Sequence, residues 1–394
     1  MNPDVISYIN NRSKELIEKV VQYREHIHQN PELSFKEHKT MEYVYEVLKK
    51  LNIPCVSGVA KTGVVAMIQT EENKKNPCIA LRADLDALPI KEQTDKPYAS
   101  KTPGLMHACG HDVHTSILLG VAEVLNEIKH LLQNPIKLIF QPGEEKNPGG
   151  ASLMIKAGVL ENPVVSEMYA LHVFPELEAG KVGFRSGRYM ASCDEIYITI
   201  NGKGGHGAIP NECIDPIITG ANIITQLQQL ISRNCDPKIP SVLSFGHFEA
   251  LGATNVIPSQ AILKGTFRTM DEKWRERALE QIKSQVEKIA SANGAKADIK
   301  ISRGYPCLDN NTALTEKLYL KAKEVLGNKN VVDLPIRLTS EDFSFYSQKI
   351  PVCFFRLGVR DESKGIVYGV HNSKFDISYE AIPVGIQMMC LAAI

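Results

Sequence analysis

The order of short apolar runs and amphipathic segments is the feature that most constrains how this chain can fold. Four short, mainly apolar runs occupy residues 64–68, 78–82, 136–140 and 169–173. Runs of this length are typical of strands buried on both faces of a sheet. Between the second and third runs, residues 117–128 place apolar side chains on one helical stripe. Strands that alternate with helices predict an α/β domain with a mainly parallel sheet.

The pattern changes between residues 189 and 303. Strand, helix, strand, strand, helix and strand are predicted there in this order: 195–200, 216–233, 242–248, 261–268, 272–292 and 297–301. This βαββαβ order is the ferredoxin-like split motif. Beyond residue 304 the helix–strand alternation returns, so we predict a discontinuous domain, 1–188 and 304–394, with an inserted domain, 189–303. The open sheet of such an insert needs a covering surface, so dimerisation or lid closure is expected.

Helical spacing also predicts two helices near the N-terminus, at about residues 13–29 and 36–51. Ser34 and Glu37 have the spacing of a capping box at the start of the second helix. We therefore expect their side chains to bond to the first backbone N–H groups of that helix.

Charge and cysteine content exclude several classes of protein. Lysine plus arginine equals aspartate plus glutamate at 45 each, so no net field favours nucleic acid or an anionic membrane. There is no signal-peptide pattern and no apolar stretch of about 20 residues, so a cytoplasmic protein is expected. The nine cysteines are odd in number and widely spaced. This argues against a disulfide framework and against a structural zinc ribbon.

The segment 107–114 carries the strongest chemical signal. It contains four potential metal ligands, His107, Cys109, His111 and His114, at the start of a predicted helix. Thiolate and imidazole are suitable zinc ligands. A single histidine there would be read as a solvent-facing residue, but the Cys-x-His with flanking histidines favours a metal site.

Further polar residues follow the predicted strands. Glu144 and Glu145 come after the strand 136–140, and in extended backbone their side chains would point in opposite directions. Asp84 and Asp86 follow the strand 78–82. His172 closes the strand 169–173, and His371 follows the short segment 366–370. Ligands bind beyond the carboxyl ends of strands in open α/β sheets, so these residues are expected to converge.

The segments 82–89, 107–114, 143–145 and 171–173, together with His371, resemble the zinc-dependent aminoacylase and carboxypeptidase superfamily. They are most similar to its amidohydrolase branch, which includes hippurate hydrolases, auxin-conjugate hydrolases and N-acetyl-diaminopimelate deacetylases. The resemblance extends from the segment 28–37 to His371. It implies a metallopeptidase-like catalytic domain with an inserted ferredoxin-like dimerisation domain, in agreement with the pattern of elements.

The resemblance also implies roles for individual residues. Glu144 matches the general base of the family, and Asp84 and Asp86 are candidates to orient ligands through hydrogen bonds. The implied cofactors are two divalent metal ions per subunit, zinc or manganese, with nickel or cobalt as further candidates. The implied ligands are Cys109, His111, Glu145, His172 and His371.

The predicted insert carries three more residues that match the family. His206 lies in a glycine-rich loop, 203–207, that resembles the loop delivering a histidine to the active site of the neighbouring subunit. Asn255 and Arg268 match positions that hold the carboxylate of the substrate, for which an arginine fork is well suited. These matches imply a homodimer.

The sequence therefore predicts a metal-dependent amidohydrolase that releases an amino acid from an N-acyl amino acid or a related amide conjugate. Water would attack the amide with Glu144 as general base. Three alternatives remain open at this point. They are an aminopeptidase or carboxypeptidase acting on short peptides, a non-catalytic zinc-binding module, and a hydrolase with Cys109 as nucleophile.

Overall fold

A computed structural model of the protein describes residues 3–394 and divides them into two compact units. Within these residues, the first unit consists of residues 3–187, Asp309–Pro335 and Phe345–Ile394, and the second of Arg188–Leu308 and Ile336–Ser344. The second unit thus contains the predicted insert, 189–303, and it also takes in residues 336–344, which follow in the sequence.

Helices make up much of the first unit and one face of the second. The α-helices are α1 (Pro3–Glu15), α2 (Ile17–Gln29), α3 (His38–Lys50), α4 (His111–Glu127), α5 (Gly150–Lys156), α6 (Pro216–Gln229), α7 (Glu272–Ala292), α8 (Thr312–Leu326), α9 (Ser344–Ser347) and α10 (Ala381–Ala392). A π-helical turn, Leu230–Asn234, continues α6. No helix within residues 3–394 has both the length and the apolarity needed to cross a membrane.

Strands form one large sheet in the first unit and a smaller one in the second. They are β1 (Cys55–Val59), β2 (Gly63–Ile68), β3 (Cys78–Asp84), β4 (Ile136–Gln141), β5 (Val165–Glu178), β6 (Val182–Phe184), β7 (Gly187–Met190), β8 (Asp194–Asn201), β9 (Gly205–His206), β10 (Ser241–Glu249), β11 (Val256–Ile257), β12 (Gln260–Thr269), β13 (Lys296–Arg303), β14 (Leu308–Asn310), β15 (Val331–Asp333) and β16 (Val352–Arg360).

The sheet of the first unit has eight strands in the order β1-β2-β4-β3-β5-β16-β6-β15. Its four central strands, β4, β3, β5 and β16, run parallel to one another, whereas β1, β2 and β6 add antiparallel pairs. Every residue of β3 and β4 is buried. The predicted mainly parallel sheet is therefore confirmed, and its central strands are covered on both faces as expected.

Helix α4 lies in the core of the first unit, where it contacts α2, α10 and β3. Residues 111–125 are buried without interruption, so this helix is surrounded by protein on all sides. It begins at His111, near the carboxyl end of β3. The core packing of α4 thus fixes the start of the segment that carries the predicted ligands.

The sheet of the second unit has four antiparallel strands in the order β10-β12-β8-β13. With α6 after β8 and α7 after β12, the chain order is βαββαβ, as predicted. Along β8, Ile196, Ile198 and Ile200 are buried, while Glu195 and Tyr197 are exposed. This alternation packs one face against the helices and leaves the other polar.

The predicted capping box at the start of α3 is wrong. Neither Ser34 nor Glu37 caps the helix. Instead, a carboxylate oxygen of Glu32 accepts hydrogen bonds from the backbone N–H groups of Lys39, at 2.9 Å, and Thr40, at 3.0 Å. The spacing of a capping box was present, but Glu32 already satisfies the donors at the helix start.

A buried ion pair joins α7 to β8 in the second unit. The guanidinium of Arg275 donates two hydrogen bonds to the carboxylate of Asp194, at 2.8 and 2.7 Å. It donates a third to the carbonyl oxygen of Gly304, at 3.0 Å. Both side chains are almost fully buried. Arg275 also binds Glu272 at 3.0 Å, whereas the buried charge of Asp194 depends on Arg275 for compensation.

Replacing Arg275 with Met should lower the free energy of unfolding by about 3–5 kcal/mol, because Asp194 would remain buried without its partner. Urea denaturation of the two proteins measures this difference. The matched control is Arg277→Met, which removes an exposed arginine stacked on Trp274 and should cost about 0.5–1 kcal/mol. Equal losses in both variants would contradict the role assigned to the buried pair.

Candidate metal centre

Gly110 separates Cys109 from His111 at the start of α4. Its φ of +84° lies in the left-handed region, and a Cβ atom there would stand 2.5 Å from Cγ2 of Val173. Only glycine fits both constraints at low cost. The close approach to β5 brings Cys109 and His111 next to His172 on that strand.

His172 faces Cys109. Its Nδ1 donates to the carbonyl oxygen of Val173 at 2.8 Å, and its Nε2 lies 3.4 Å from Sγ of Cys109. Burial, with the nearby His114 and Arg356, holds the pKa of His172 well below its usual value. The ring is therefore neutral, with the Nε2 lone pair on the side of Cys109. The strand does not end here as predicted, since β5 continues to Glu178.

His111 is oriented by one carboxylate and surrounded by others. Its Nδ1 lies 3.2 Å from Oδ1 of Asp86. Its Nε2 is buried and has no hydrogen-bond partner among residues 3–394. The nearest carboxylate oxygens to Nε2 belong to Asp84, at 3.8 Å, and Glu144, at 4.0 Å. A buried ring nitrogen without a partner, among anionic groups, is suited to bind a cation.

Asp86 connects His111 to the loop that carries the two glutamates. Its two carboxylate oxygens accept the backbone N–H groups of Glu144, at 3.0 Å, and Glu145, at 2.9 Å. Ser34 donates its hydroxyl at 2.6 Å. Burial acts to raise the pKa of Asp86, but the hydrogen bonds from His111 and Ser34 outweigh it and lower the pKa. Asp86 thus orients a candidate ligand and the following loop together.

Asp84 holds a second histidine that is not available as a ligand. Its carboxylate accepts from Arg82 at 2.7 Å and from Nδ1 of His114 at 2.6 Å. Nε2 of His114 accepts the backbone N–H of Val173 at 2.9 Å. Both ring nitrogens of His114 are therefore engaged in one tautomer. Burial acts to raise the pKa of Asp84, but His111, His114 and Arg82 hold it well below its usual value.

His371 reaches the site from an irregular segment, since residues 366–370 form no strand in the described structure. Its φ is +63°, and its backbone N–H donates to the carbonyl oxygen of Ala108 at 2.7 Å. Nε2 lies 3.1 Å from Oε1 of Glu145. Hydrogen bonds with Cys109 and Glu145 raise the pKa of His371 to about 10.

Two groups of potential ligands share Cys109. One joins Cys109 to His111 and His172, and the other joins Cys109 to Glu145 and His371. Within each group the ligand atoms lie within 4.8 Å of one another. Thiolate, imidazole and carboxylate together suit zinc and related divalent metals. With the partnerless Nε2 of His111, this donor set fits a metal centre.

Glu144 and Glu145 do not point in opposite directions, as extended backbone would require. They lie in a turn, and a carboxylate oxygen of each lies within 4.8 Å of a ring nitrogen of His111. The turn follows from Gly143, whose φ of +61° reverses the chain. Both carboxylates consequently face the same group of ligands.

The remaining predicted site residues belong to the second unit. His206 on β9 is paired with Val256 on β11, and its Nδ1 accepts the backbone N–H of Ala208 at 3.1 Å. The carbonyl oxygen of Asn255 accepts the N–H of Gly207 at 2.8 Å, so Asn255 and His206 are neighbours on one ribbon. Arg268 lies on β12 and donates to the carbonyl oxygen of Leu338 at 3.1 Å.

Sequence reasoning missed the residues that support the ligands from outside the ligand segments. Ser34 and Arg82 were not assigned to the site, and Glu37 was assigned to a helix cap. One signal could have indicated them: they are polar side chains that lie in or beside the segments that resemble the family. Their partners are distant in sequence, so the contacts themselves have no local pattern.

Comparison with known proteins places the chain in a family. Residues 80–394 match peptidase family M20/M25/M40. The N-acyl-L-amino acid amidohydrolase of Geobacillus stearothermophilus is 42% identical over 73% of this chain and 76% of its own length. Thermostable carboxypeptidase 2 of Saccharolobus solfataricus is 38% identical over 99% of this chain and 98% of its own length.

A solved structure agrees with these matches. A Bacillus subtilis protein described as a dinuclear metal-binding peptidase of the M20 family is 34% identical, with a TM-score of 0.81 over 96% of this chain and 98% of the other. The family expected from the sequence motifs is therefore confirmed. This chain belongs to peptidase family M20/M25/M40 and is an enzyme that hydrolyses amide bonds.

Proposed function

We propose that this enzyme releases an amino acid from an N-acyl amino acid or a related amide conjugate. The observation that carries the proposal is the pair of ligand groups that share Cys109 beside Glu144. The named activity of the Geobacillus stearothermophilus relative supports this substrate class. Family membership makes the chain a hydrolase, so a non-catalytic zinc-binding module is set aside.

Two divalent metal ions per subunit, zinc or manganese, form part of the proposal. Cys109, His111 and His172 would hold one, and Cys109, Glu145 and His371 the other. When bound, the ions supply Lewis-acid polarisation of the amide carbonyl and lower the pKa of a water molecule. The name of the Bacillus subtilis structure, which describes a dinuclear site, supports this number.

Glu144 is the proposed general base. It accepts a proton from the attacking water and returns it to the departing amine. Its carboxylate lies 4.0 Å from Nε2 of His111, and its backbone is held by Asp86. His206 is the proposed donor to the carbonyl oxygen as negative charge develops there. Its Nδ1 already accepts from Ala208, which leaves Nε2 to donate.

Cys109 is not a suitable nucleophile. A reactive cysteine needs an accessible thiol with a lowered pKa. Cys109 is buried, and burial together with the Glu145 carboxylate raises its pKa. A role as metal ligand uses the same thiol without requiring access to substrate.

A peptidase acting on short peptides remains the second candidate. It is favoured by the carboxypeptidase of Saccharolobus solfataricus, which this chain matches along nearly its whole length. A carboxypeptidase, like the proposed amidohydrolase, must recognise a free carboxylate. We assign this role to Arg268, whose guanidinium has further N–H groups beyond the one bonded to Leu338, and to Asn255.

We also propose that the enzyme is a homodimer and that it is located in the cytoplasm. Strand β10 lies at the edge of its sheet, where an unpaired strand invites pairing with another chain. Exposed apolar side chains of the same unit include Ile218 and Phe248. The nine cysteines, all within residues 3–394, are free thiols, which suits a reducing compartment.

Changing Glu144 to Gln should reduce turnover by about a hundredfold to ten-thousandfold, because the general base is removed. The metal content should stay that of the parent protein. The matched control, Glu145→Gln, should instead lose metal, since Glu145 is assigned as a ligand. Steady-state kinetics and elemental analysis of both variants measure this, and the opposite pattern would show that the two roles are exchanged.

Arg268→Ala should slow hydrolysis of an N-acyl amino acid by about thirtyfold to hundredfold in kcat/KM, because a charge-assisted contact is lost. The same substrate as a neutral amide at its carboxyl group should react almost unchanged. Lys264→Ala, which removes another cation of β12, serves as control. Equal losses of kcat/KM on the acid and on the neutral substrate would mean that Arg268 supports the fold and does not bind the carboxylate.

Ile218→Asp should weaken the dimer. Ile218 is 56% exposed in a single subunit, and in the proposed dimer the new charge would be buried between the two subunits. Light scattering measures the mass. Leu320→Asp, at a leucine on α8 that is 55% exposed, should leave the mass unchanged. A parent protein that is monomeric and fully active would remove the dimer from the proposal.

A further inference from the structure

Three consecutive backbone N–H groups in the turn after β4 all donate to buried carboxylates. Those of Glu144 and Glu145 bind Asp86. That of Gly143 donates to Oε1 of Glu37 at 2.8 Å. Two acids from different parts of the chain therefore fix the backbone donors of residues 143–145, which include the proposed base.

The helix that follows Glu37 does not explain why this side chain is buried. It stands just before α3 and is fully buried, yet Glu32 supplies the cap of that helix. Oε2 of Glu37 accepts the hydroxyl of Thr62 at 2.6 Å. Burial and the nearby Asp86 raise the pKa of Glu37. Burying an acid beside a second acid is unfavourable, so the fold accepts a cost that the helix does not require.

Gly143, whose N–H donates to Glu37, is also constrained at its carbonyl oxygen and at its Cα atom. The carbonyl oxygen of Gly143 accepts the N–H of Gly150 at 2.9 Å. A Cβ atom on Gly143 would stand 2.4 Å from the ring of Phe35. The Nζ atom of Lys61 lies 4.9 Å from the centre of that ring. The residues 35–37 thus clamp Gly143 by packing and by hydrogen bonding at once.

We propose that Glu37 is a positioning residue for Glu144 and acts through the peptide of Gly143. This inference rests on the proposed role of Glu144 as general base. The direction of the Glu144 side chain follows from the backbone immediately before it, and small errors in the placement of a catalytic group cost large factors in rate. Glu37 does not touch the substrate.

The test compares Glu37→Ala and Glu37→Gln with the parent enzyme, loaded with zinc. Loss of the acceptor in Glu37→Ala should lower kcat by about tenfold to hundredfold, with KM changed by no more than about twofold. Glu37→Gln should recover part of this loss, because its amide oxygen can still accept from Gly143. Zinc content should match the parent in both, since the Glu145 amide is held by Asp86.

Glu32→Gln is the matched control. It makes the same change of carboxylate to amide in the same loop, at a residue that contacts α3 and not the turn. It should leave kcat within about twofold of the parent. A loss of kcat in Glu32→Gln equal to that in Glu37→Gln would overturn the proposal, because general disturbance of the loop would then explain both.

A double-mutant cycle separates this inference from the proposed function. If Glu37 acts through Glu144, adding Glu37→Ala to Glu144→Gln should lower the residual kcat by less than about twofold. An additive loss, loss of zinc in Glu37→Ala, or unchanged kcat in Glu37→Ala would each overturn the positioning role. If Glu144→Gln by itself retained full turnover, the role of Glu144 as base would fail instead.

Discussion

The carboxylate of Asp86 is the contact on which the candidate site depends. It follows β3, orients His111 at the start of α4, and accepts the backbone N–H groups of Glu144 and Glu145 after β4. Each of these segments is anchored elsewhere by apolar packing, which sets its position only to within the tolerance of side-chain packing. Hydrogen bonds to one buried anion give the finer alignment that a metal centre needs.

Negative charge is concentrated at this centre. Asp84, Asp86, Glu37 and the two glutamates of the turn are gathered around three histidines and Cys109. Arg82 supplies one fixed positive charge. Burial acts to lower the pKa of His111, but Asp84 and Cys109 outweigh it and raise that pKa, and hydrogen bonds with Cys109 and Glu145 raise the pKa of His371, whereas burial lowers that of His172. Metal ions would compete with protons for the same lone pairs, so occupancy of the site should fall in acid.

Local sequence patterns predicted most of the helices and strands. They did not predict contacts between residues that are distant in sequence. The parallel strands, α4 and the βαββαβ unit follow from apolar periodicity, which is a local property. The segment 366–370 carried no such signal, and the position of His371 depends on Ala108. Glu37 had the spacing of a helix cap, yet its partner is 106 residues away. The motif resemblance identified the candidate ligands, whereas the residues that support them could be identified only from the structure.

The order of the ligands along the chain has a consequence for synthesis on the ribosome. The candidate ligands Cys109, His111 and His172 all precede the second unit, so all three are already in the chain when synthesis of that unit begins. The group of Cys109, Glu145 and His371 is not yet complete then, because His371 emerges only after the whole βαββαβ unit. A nascent chain would thus carry one complete set of ligands and one incomplete set while the second unit folds.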